Sequence, residues 1–65
     1  MQPFSHLVSI IVPALNEEKT VQETLKHLTA LDFKEFGMGK EIILIDGCST
    51  DRTVERARSV RGVKV

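Results

Sequence analysis

The sequence lacks the residues that small proteins often use to reinforce a minimal core. Among its 65 residues it has one cysteine, two histidines, no tryptophan and no tyrosine. The single cysteine, Cys48, cannot form an intrachain disulfide, and His6 and His27 lie too far apart in sequence to suggest a structural metal site. A chain of this length buries only about 60% of the surface that its unfolded form exposes, so we expect a domain built from it alone to be marginally stable.

An excess of charge and a long apolar run are also absent. Nine basic and nine acidic residues cancel and are interspersed along the chain, which argues against a basic surface for nucleic acid. The apolar run from Leu7 to Val12 ends at Pro13 and follows no basic segment, so it is too short for a membrane span and a poor signal peptide. We expect a cytoplasmic protein that does not bind nucleic acid.

Two apolar segments, each followed by a polar loop, are typical of strands in an α/β protein. The segment LVSIIVP, residues 7–13, is nearly continuous in apolar character, which predicts a strand covered on both faces. A second strand is predicted over residues 41–45. Asn16 is expected to be the N-cap of the intervening helix, with Glu17 and Glu18 in its first turn. The predicted buried stripe of that helix consists of Val21, Leu25 and Leu28.

The second half of the chain repeats the order of strand and helix. Ser49 or Asp51 is expected to cap a second helix, Gly62 to end it, and the terminal VKV to begin a third strand. With right-handed crossovers, the order β-α-β-α-β gives a parallel sheet. The apolar residues of the second helix recur every three positions: Val54, Ala57 and Val60.

The connection between the first helix and the second strand, residues 32–40, contains two glycines and breaks the helical pattern. Phe33 and Phe36 are expected to cover the core from this connection. The predicted helices cover only part of the sheet, and parallel sheets are normally covered on both faces. We therefore expect residues 1–65 to be the first piece of a larger domain.

Asp46 follows the second predicted strand directly, at its carboxyl end. In open α/β sheets, ligands bind at these ends, so Asp46 is a candidate site residue. The alternative is a turn residue whose side chain binds its own backbone.

The loop after the first strand, PALNEE, argues against several classes of nucleotide-binding and related α/β proteins. It has no glycine, which excludes the glycine-rich turn of dinucleotide oxidoreductases and the phosphate cradle of P-loop enzymes. Receiver-type domains need acidic residues at the end of the first strand, where this chain has Val12, Pro13 and Ala14.

The segments VSIIVPALNEEKTVQETLKHL and EIILIDGCSTDRT together resemble the amino-terminal part of family 2 glycosyltransferases of the GT-A fold. These enzymes open with a strand, Pro-x-x-Asn-Glu, a helix, a second strand, and Asp-Asp-Gly-Ser-x-Asp or Asp-Gly-Gly-Ser-x-Asp followed by Thr. The resemblance covers residues 8 to about 60. It implies an α/β fold in which the parallel β-α-β-α-β unit is the first part of a GT-A, Rossmann-like, nucleotide-sugar-binding domain, with residues 1–65 as an incomplete amino-terminal fragment.

The resemblance assigns donor-binding roles to the first loop. It implies that Pro13, Ala14 and Leu15 form the wall beside the nucleotide base, with Leu15 standing where the family often has an aromatic residue. Asn16 and Glu17 match the Asn-Glu pair. For Asn16 the N-cap role is an alternative to ligand contact, and for Glu17 the alternative is complementation of the helix dipole.

Asp46 matches the first aspartate of the second motif, which in the family contacts the base or ribose of the sugar nucleotide. An ionised carboxylate accepts hydrogen bonds, and a uracil ring N–H or a ribose hydroxyl supplies the donor. Gly47 stands where many members have a second aspartate, and Cys48 where glycine or another small residue is usual. Ser49 and Asp51 match Ser-x-Asp and are expected to order the loop, with a ligand contact of Asp51 as the alternative.

The resemblance implies an inverting transfer of a sugar from a nucleotide diphosphate sugar, with UDP favoured, to an acceptor hydroxyl on a glycan or a lipid-linked molecule. In the family, Mg²⁺ or Mn²⁺ neutralises the leaving diphosphate and a carboxylate acts as base. Both are expected after Val65, so the chain alone is expected to hold no metal ligands or catalytic residues and to be inactive. The parent is placed in the cytoplasm or at the cytoplasmic face of a membrane.

The sequence is also compatible with two alternative hypotheses. One is a non-catalytic βαβ module that binds a nucleotide or a protein. The other is a nucleotidyltransferase on a GT-A-like sheet, although that class needs a glycine-rich, basic first loop and PALNEE is acidic.

Overall fold

The computed structural model describes residues 6–65, which alternate between strand and helix. The three strands form one parallel sheet in the order β1-β2-β3, so the predicted β-α-β-α-β unit is confirmed. In the sheet, Ile10 lies beside Ile42, and Ile42 lies beside Val63. The elements are β1 (His6–Ala14), α1 (Val21–Thr29), a 3₁₀ turn (Lys34–Phe36), β2 (Met38–Asp46), α2 (Thr53–Arg58) and β3 (Val63–Lys64).

One core lies between the two helices and one face of the sheet. Right-handed crossovers that step in the same direction put both helices on the same side of a parallel sheet. The predicted helix stripe is confirmed, because Val21 and Leu25 are buried and Leu28 packs against them. The other buried apolar residues are Ala14, Ile42, Leu44, Ala57 and Val60.

The other face of the sheet is open among residues 6–65. Leu7, Ile11 and Ile45 are 53%, 55% and 54% exposed. The expectation that both faces of β1 are covered is therefore wrong for the described residues, because both helices pack on the opposite face. The expectation that the helices cover only part of the sheet is confirmed.

A polar bridge crosses this open face. Glu41 on the central strand accepts a hydrogen bond from the Ser9 hydroxyl on β1 at 2.5 Å and one from Lys64 Nζ on β3 at 3.0 Å. The Ser9 hydroxyl, followed by Lys64, lowers the pKa of the Glu41 carboxyl below its ordinary value. The bridge joins all three strands through side chains.

The connection between α1 and β2 differs from its prediction. Phe36 is 63% exposed and Phe33 is only partly buried, so the expectation that both cover the core is wrong. The strand β2 begins at Met38 and not at residue 41, since residues 38–40 pair with the start of β1. Lys40 then directs its Nζ to the end of α1, where it donates hydrogen bonds to the carbonyl oxygens of Thr29, at 2.8 Å, and Leu31.

The last part of the chain follows its predicted order with shifted boundaries. The helix α2 ends at Arg58, and Gly62 lies in the following turn with a φ of 88°. The predicted third strand is confirmed at Val63–Lys64. Within residues 6–65, none of the helices has the length and apolar character needed to cross a membrane.

Candidate functional site

Two loops lie side by side at the carboxyl edge of the sheet. The first loop, residues 15–20, follows β1, and the second loop, residues 47–52, follows β2. Because the strands are parallel neighbours, both loops leave the sheet at the same edge. The Gly47 N–H donates to the Ala14 carbonyl at 2.8 Å, which continues the strand pairing into the loops.

Three successive N–H groups of the first loop are bound by side chains that follow β2. The Asn16 N–H donates to Ser49 Oγ at 2.9 Å, the Glu17 N–H to Thr53 Oγ1 at 2.7 Å, and the Glu18 N–H to Asp51 Oδ2 at 3.3 Å. These N–H groups lie in the loop before α1, which begins at Val21, so no helical hydrogen bond satisfies them. The second loop and the start of α2 therefore cap the first loop.

The first loop also provides an acceptor for an N–H group of the second loop. Asn16 Oδ1 accepts the Thr50 N–H at 2.9 Å, while its own backbone has a φ of 51°. The prediction that Asn16 is the N-cap of its own helix is wrong, since α1 begins at Val21 and the cap position is Thr20. The side chain of Asn16 instead satisfies a donor in the neighbouring loop.

Asp46 lies half-buried at the end of β2 and binds its own turn. Its Oδ1 accepts the Ser49 hydroxyl at 2.5 Å, and its Oδ2 accepts the Ser49 N–H at 2.9 Å. The Ser49 hydroxyl, followed by the Ser49 N–H, lowers the pKa of the Asp46 carboxyl below its ordinary value. The turn role of Asp46 is confirmed. A carboxylate has about four acceptor sites, so capacity for a ligand donor remains.

Asp51 connects the second loop to the first loop and to the start of α2. Its Oδ1 accepts the Thr53 N–H at 2.9 Å and the Thr53 hydroxyl, and its Oδ2 accepts the Glu18 N–H. The Thr53 hydroxyl is the main cause that lowers the pKa of the Asp51 carboxyl. The N-cap position of α2 is Arg52, so the prediction that Ser49 or Asp51 occupies it is wrong. Asp51 nevertheless binds the N–H of Thr53, the first residue of α2, whereas Ser49 binds Asp46.

Two shallow grooves border the paired loops, and Glu17 lines both. The first groove, of about 220 Å³, lies between the end of β1 and the start of α1 and includes Pro13 and Ala14. The second groove, of about 410 Å³, lies over the loops and includes Asn16 and Asp51. The structure thus brings five of the seven predicted site residues to these two grooves.

The other two predicted site residues, Leu15 and Asp46, line neither groove. Leu15 is 56% exposed at the start of the first loop. A Cβ added to Gly47, the residue after Asp46, would lie 3.7 Å from the Cβ of Leu15. Leu15 therefore places an exposed apolar surface beside the end of β2.

The left-handed backbone conformation occurs at Cys48 and not at the adjacent Gly47. Gly47 has no left-handed φ, and a Cβ added to it would meet only ordinary contacts, the nearest at 3.5 Å from the Ala14 carbonyl oxygen. Cys48 is exposed and has a φ of 67°, a region that favours glycine. The glycine therefore stands one position before the residue whose backbone conformation would favour it.

Thr53 is the functional residue that the sequence analysis missed. It is fully buried, and the predicted stripe placed Val54 on the buried face of α2, whereas Val54 is only half-buried. The sequence feature that could have identified Thr53 is its position at the end of the segment EIILIDGCSTDRT. Among residues 6–65, no group of three histidine, cysteine, aspartate or glutamate side chains is arranged to hold a metal ion.

Comparison with known proteins gives one family match and several curated relatives. A family profile described as Glycosyl transferase family 2 matches residues 9–65. The poly(ribitol-phosphate) beta-N-acetylglucosaminyltransferase TarS of Staphylococcus aureus is 40% identical over 60 residues, which cover 88% of this chain and 10% of that protein. No solved structure matches the chain with significance.

Two further relatives have similar levels of identity. The 4,4'-diaponeurosporenoate glycosyltransferase of Staphylococcus haemolyticus is 43% identical over 58 residues, covering 89% of this chain and 14% of that protein. The undecaprenyl-phosphate 4-deoxy-4-formamido-L-arabinose transferase of Pseudomonas aeruginosa is 39% identical over 56 residues, covering 85% of this chain and 16% of that protein. The chain therefore spans only a small part of the length of each of these relatives.

Proposed function

This chain belongs to glycosyl transferase family 2, and we propose that its paired loops bind the nucleotide part of a nucleotide diphosphate sugar donor. The observation that carries the proposal is the mutual capping of the two loops, which places Glu17 where two grooves meet and engages Ser49, the residue that holds Asp46. A site whose backbone is already held in place loses little conformational entropy when a ligand binds.

Asp46 is the central ligand contact of this proposal. Its bonds to Ser49 keep the carboxylate ionised and oriented at the end of β2. An ionised carboxylate forms strong hydrogen bonds with donors such as a uracil ring N–H or a ribose hydroxyl. Pro13, Ala14 and Leu15 supply the apolar wall beside the base, and we favour UDP as the nucleotide.

The parent reaction that we propose is transfer of the sugar to an acceptor hydroxyl with inversion at the anomeric carbon. The names of the relatives, which include poly(ribitol-phosphate) and undecaprenyl-phosphate, support a glycan or lipid-linked acceptor in polysaccharide or cell-envelope biosynthesis. Such acceptors fit a protein in the cytoplasm or at the cytoplasmic face of a membrane.

The described residues do not fit a divalent cation, because residues 6–65 contain no cluster of three suitable side chains. We propose that the ligands of Mg²⁺ or Mn²⁺ and the catalytic base lie after Val65, and that residues 1–65 alone bind the donor without catalysing transfer. The relatives support this division, since the chain spans 10–16% of their length.

Substitution of Asp46 tests the proposal directly. In the native gene product, we expect Asp46→Asn to weaken UDP binding by about tenfold or more, since a hydrogen bond to a charged group contributes about 1.5–3 kcal/mol. Isothermal titration calorimetry with UDP and GDP measures this change, and circular dichroism checks that the variant is folded.

Asp32→Asn is the matched control. Asp32 also accepts a backbone N–H, from Lys34 at 2.9 Å, but it lies in the connection between α1 and β2, at the other edge of the sheet. We expect this variant to keep wild-type affinity for UDP. A folded Asp46→Asn protein with unchanged affinity would contradict the assignment, and a wild-type protein that binds neither nucleotide would contradict the proposed function itself.

A further inference from the structure

Thr53 is the one polar side chain that is fully buried among residues 6–65. It is the first residue of α2 and lies one helical turn before the buried Ala57, so both face the core. Buried hydroxyl groups are costly unless they are hydrogen-bonded. The position of Thr53 in the core therefore depends on the partners that its hydroxyl finds.

Those partners connect the core to the exposed first loop. Thr53 Oγ1 accepts the Glu17 N–H at 2.7 Å and donates its own proton to Asp51 Oδ1. Asp51 in turn accepts the Glu18 N–H through its other oxygen. The hydroxyl of Thr53 thus fixes the backbone of Glu17 from inside the protein, and its bond to Asp51 orients the carboxylate that holds Glu18.

Glu17 is the residue on which this support acts. Its side chain is exposed and lines both grooves of the paired loops. No residue of the first loop belongs to α1, which begins only at Val21. The Glu17 carboxylate accepts the Thr20 hydroxyl at 3.2 Å, and the Glu17 carbonyl accepts the Val21 N–H at 2.8 Å. The Glu17 N–H is held by Thr53, which is the fully buried residue among these partners.

We propose that Thr53 is a positioning residue for nucleotide binding, which acts through the Glu17 backbone and does not touch the ligand. This inference rests on the proposed function, because it requires that Glu17 contacts the bound nucleotide. A side chain of valine fills nearly the same volume as threonine but has no hydroxyl, so Thr53→Val separates the hydrogen bonds from the packing. Thr53→Ser keeps the hydroxyl and removes the methyl group.

The test measures UDP affinity of the native gene product by titration calorimetry. We expect Thr53→Val to raise the Kd for UDP by about tenfold, which corresponds to the loss of one buried hydrogen bond. Thr53→Ser should stay within about twofold of wild type, because the hydroxyl is retained. Thr29→Val is the matched control: its hydroxyl donates to the Lys26 carbonyl at 2.8 Å, far from the grooves, and its removal should leave the Kd unchanged.

A double-mutant cycle with Glu17→Ala identifies the route of the effect. If Thr53 acts through Glu17, then Thr53→Val should have no further effect on the Kd once the Glu17 side chain is removed. An equal effect of Thr53→Val in both backgrounds would overturn the positioning role. So would an unchanged Kd in a folded Thr53→Val protein, or a Thr53→Ser protein as weak as Thr53→Val.

Failure of the proposed function has a different signature. A wild-type protein without measurable affinity for UDP or GDP overturns the proposed function and this inference together. Wild-type binding that is lost on Asp46→Asn but unaffected by Thr53→Val overturns only the positioning role.

Discussion

Cys48 is a position where residue type and backbone conformation conflict. Its φ of 67° lies in the left-handed region, which costs a residue with a Cβ about 1–2 kcal/mol relative to its ordinary conformations. The adjacent Gly47 has the conformational freedom that Cys48 needs but does not use it. This strain lies directly between Asp46 and Ser49, the two partners at the end of β2.

We expect Cys48→Gly to stabilise the protein by about 0.5–1 kcal/mol. The gain is smaller than the relieved strain because glycine also increases the entropy of the unfolded chain. Urea unfolding of the two proteins measures the difference in the free energy of unfolding. Cys48→Ser, which retains a Cβ, should show no gain, and a Cys48→Gly protein less stable than wild type would contradict this account.

At the site, the sequence predicts the position of some residues and not the role of others. Asp46 could be assigned to the end of a strand because an apolar run stops there and polar residues follow. The role of Thr53 could not be assigned, because its partner Glu17 lies 36 positions away in the sequence. Its other partner, Asp51, is only two positions away. Only the folded chain brings the Glu17 N–H to that hydroxyl.

At the scale of elements, Lys40 couples the central strand to the end of the first helix. Its Nζ donates to the carbonyls of Thr29, the last residue of α1, and of Leu31, two residues beyond it. The final carbonyl groups of a helix have no partner within it and carry partial negative charge, so an ammonium group is favourable there. One side chain of β2 therefore acts as the C-terminal cap of α1.

We expect Lys40→Met to destabilise the protein by about 1–2 kcal/mol, since the two carbonyl groups lose a charged donor while the apolar stem is kept. Thermal unfolding followed by circular dichroism measures the loss. Lys34→Met is a suitable control, because Lys34 is exposed in the 3₁₀ turn, and its stability should remain within about 0.5 kcal/mol of wild type. Equal effects of the two substitutions would exclude a capping role for Lys40.

The elements themselves were largely predictable, whereas their ends were not. Apolar runs and a stripe at helical spacing identified β1, β2 and α1 because burial on one face selects these patterns. The start of α1 was misplaced because Asn16 is a good local cap, yet its side chain is engaged by Thr50 in the other loop. The early start of β2 was missed because Met38 and Gly39 become strand only by pairing with β1.

At the scale of the whole molecule, the open face of the sheet dominates the behaviour of the chain. Leu7, Ile11 and Ile45 lie on this face, more than half exposed. Exposed apolar surface of this kind favours association, and the edge of β1, which no other strand of residues 6–65 pairs with, offers backbone donors and acceptors to another strand. The Glu41 bridge is the polar feature that interrupts this surface.

We expect the 65-residue chain to self-associate when it is isolated, and the double substitution Ile11→Lys and Ile45→Lys to shift it toward the monomer. Charged groups on the open face oppose the burial of that face against another copy. Sedimentation velocity over a range of concentrations measures the mass of the species present. Leu31→Lys is the control, since Leu31 is 45% exposed but lies after α1 and not on the sheet.

A wild-type chain that sediments as a monomer and melts in one cooperative transition would contradict this expectation. The same result for Leu31→Lys as for the double variant would show that added charge, and not the open face, governs association.

The mutual capping of the two loops has a consequence for recombination and grafting. Residues 15–20 contain three N–H donors whose acceptors lie at residues 49, 51 and 53, and an amide oxygen whose donor is at residue 50. A chimera whose second segment lacks oxygen-bearing side chains at positions 49, 51 and 53 leaves these N–H donors without their acceptors. The two segments are therefore one transferable module, although the residues that bond lie 33 to 36 positions apart along the chain.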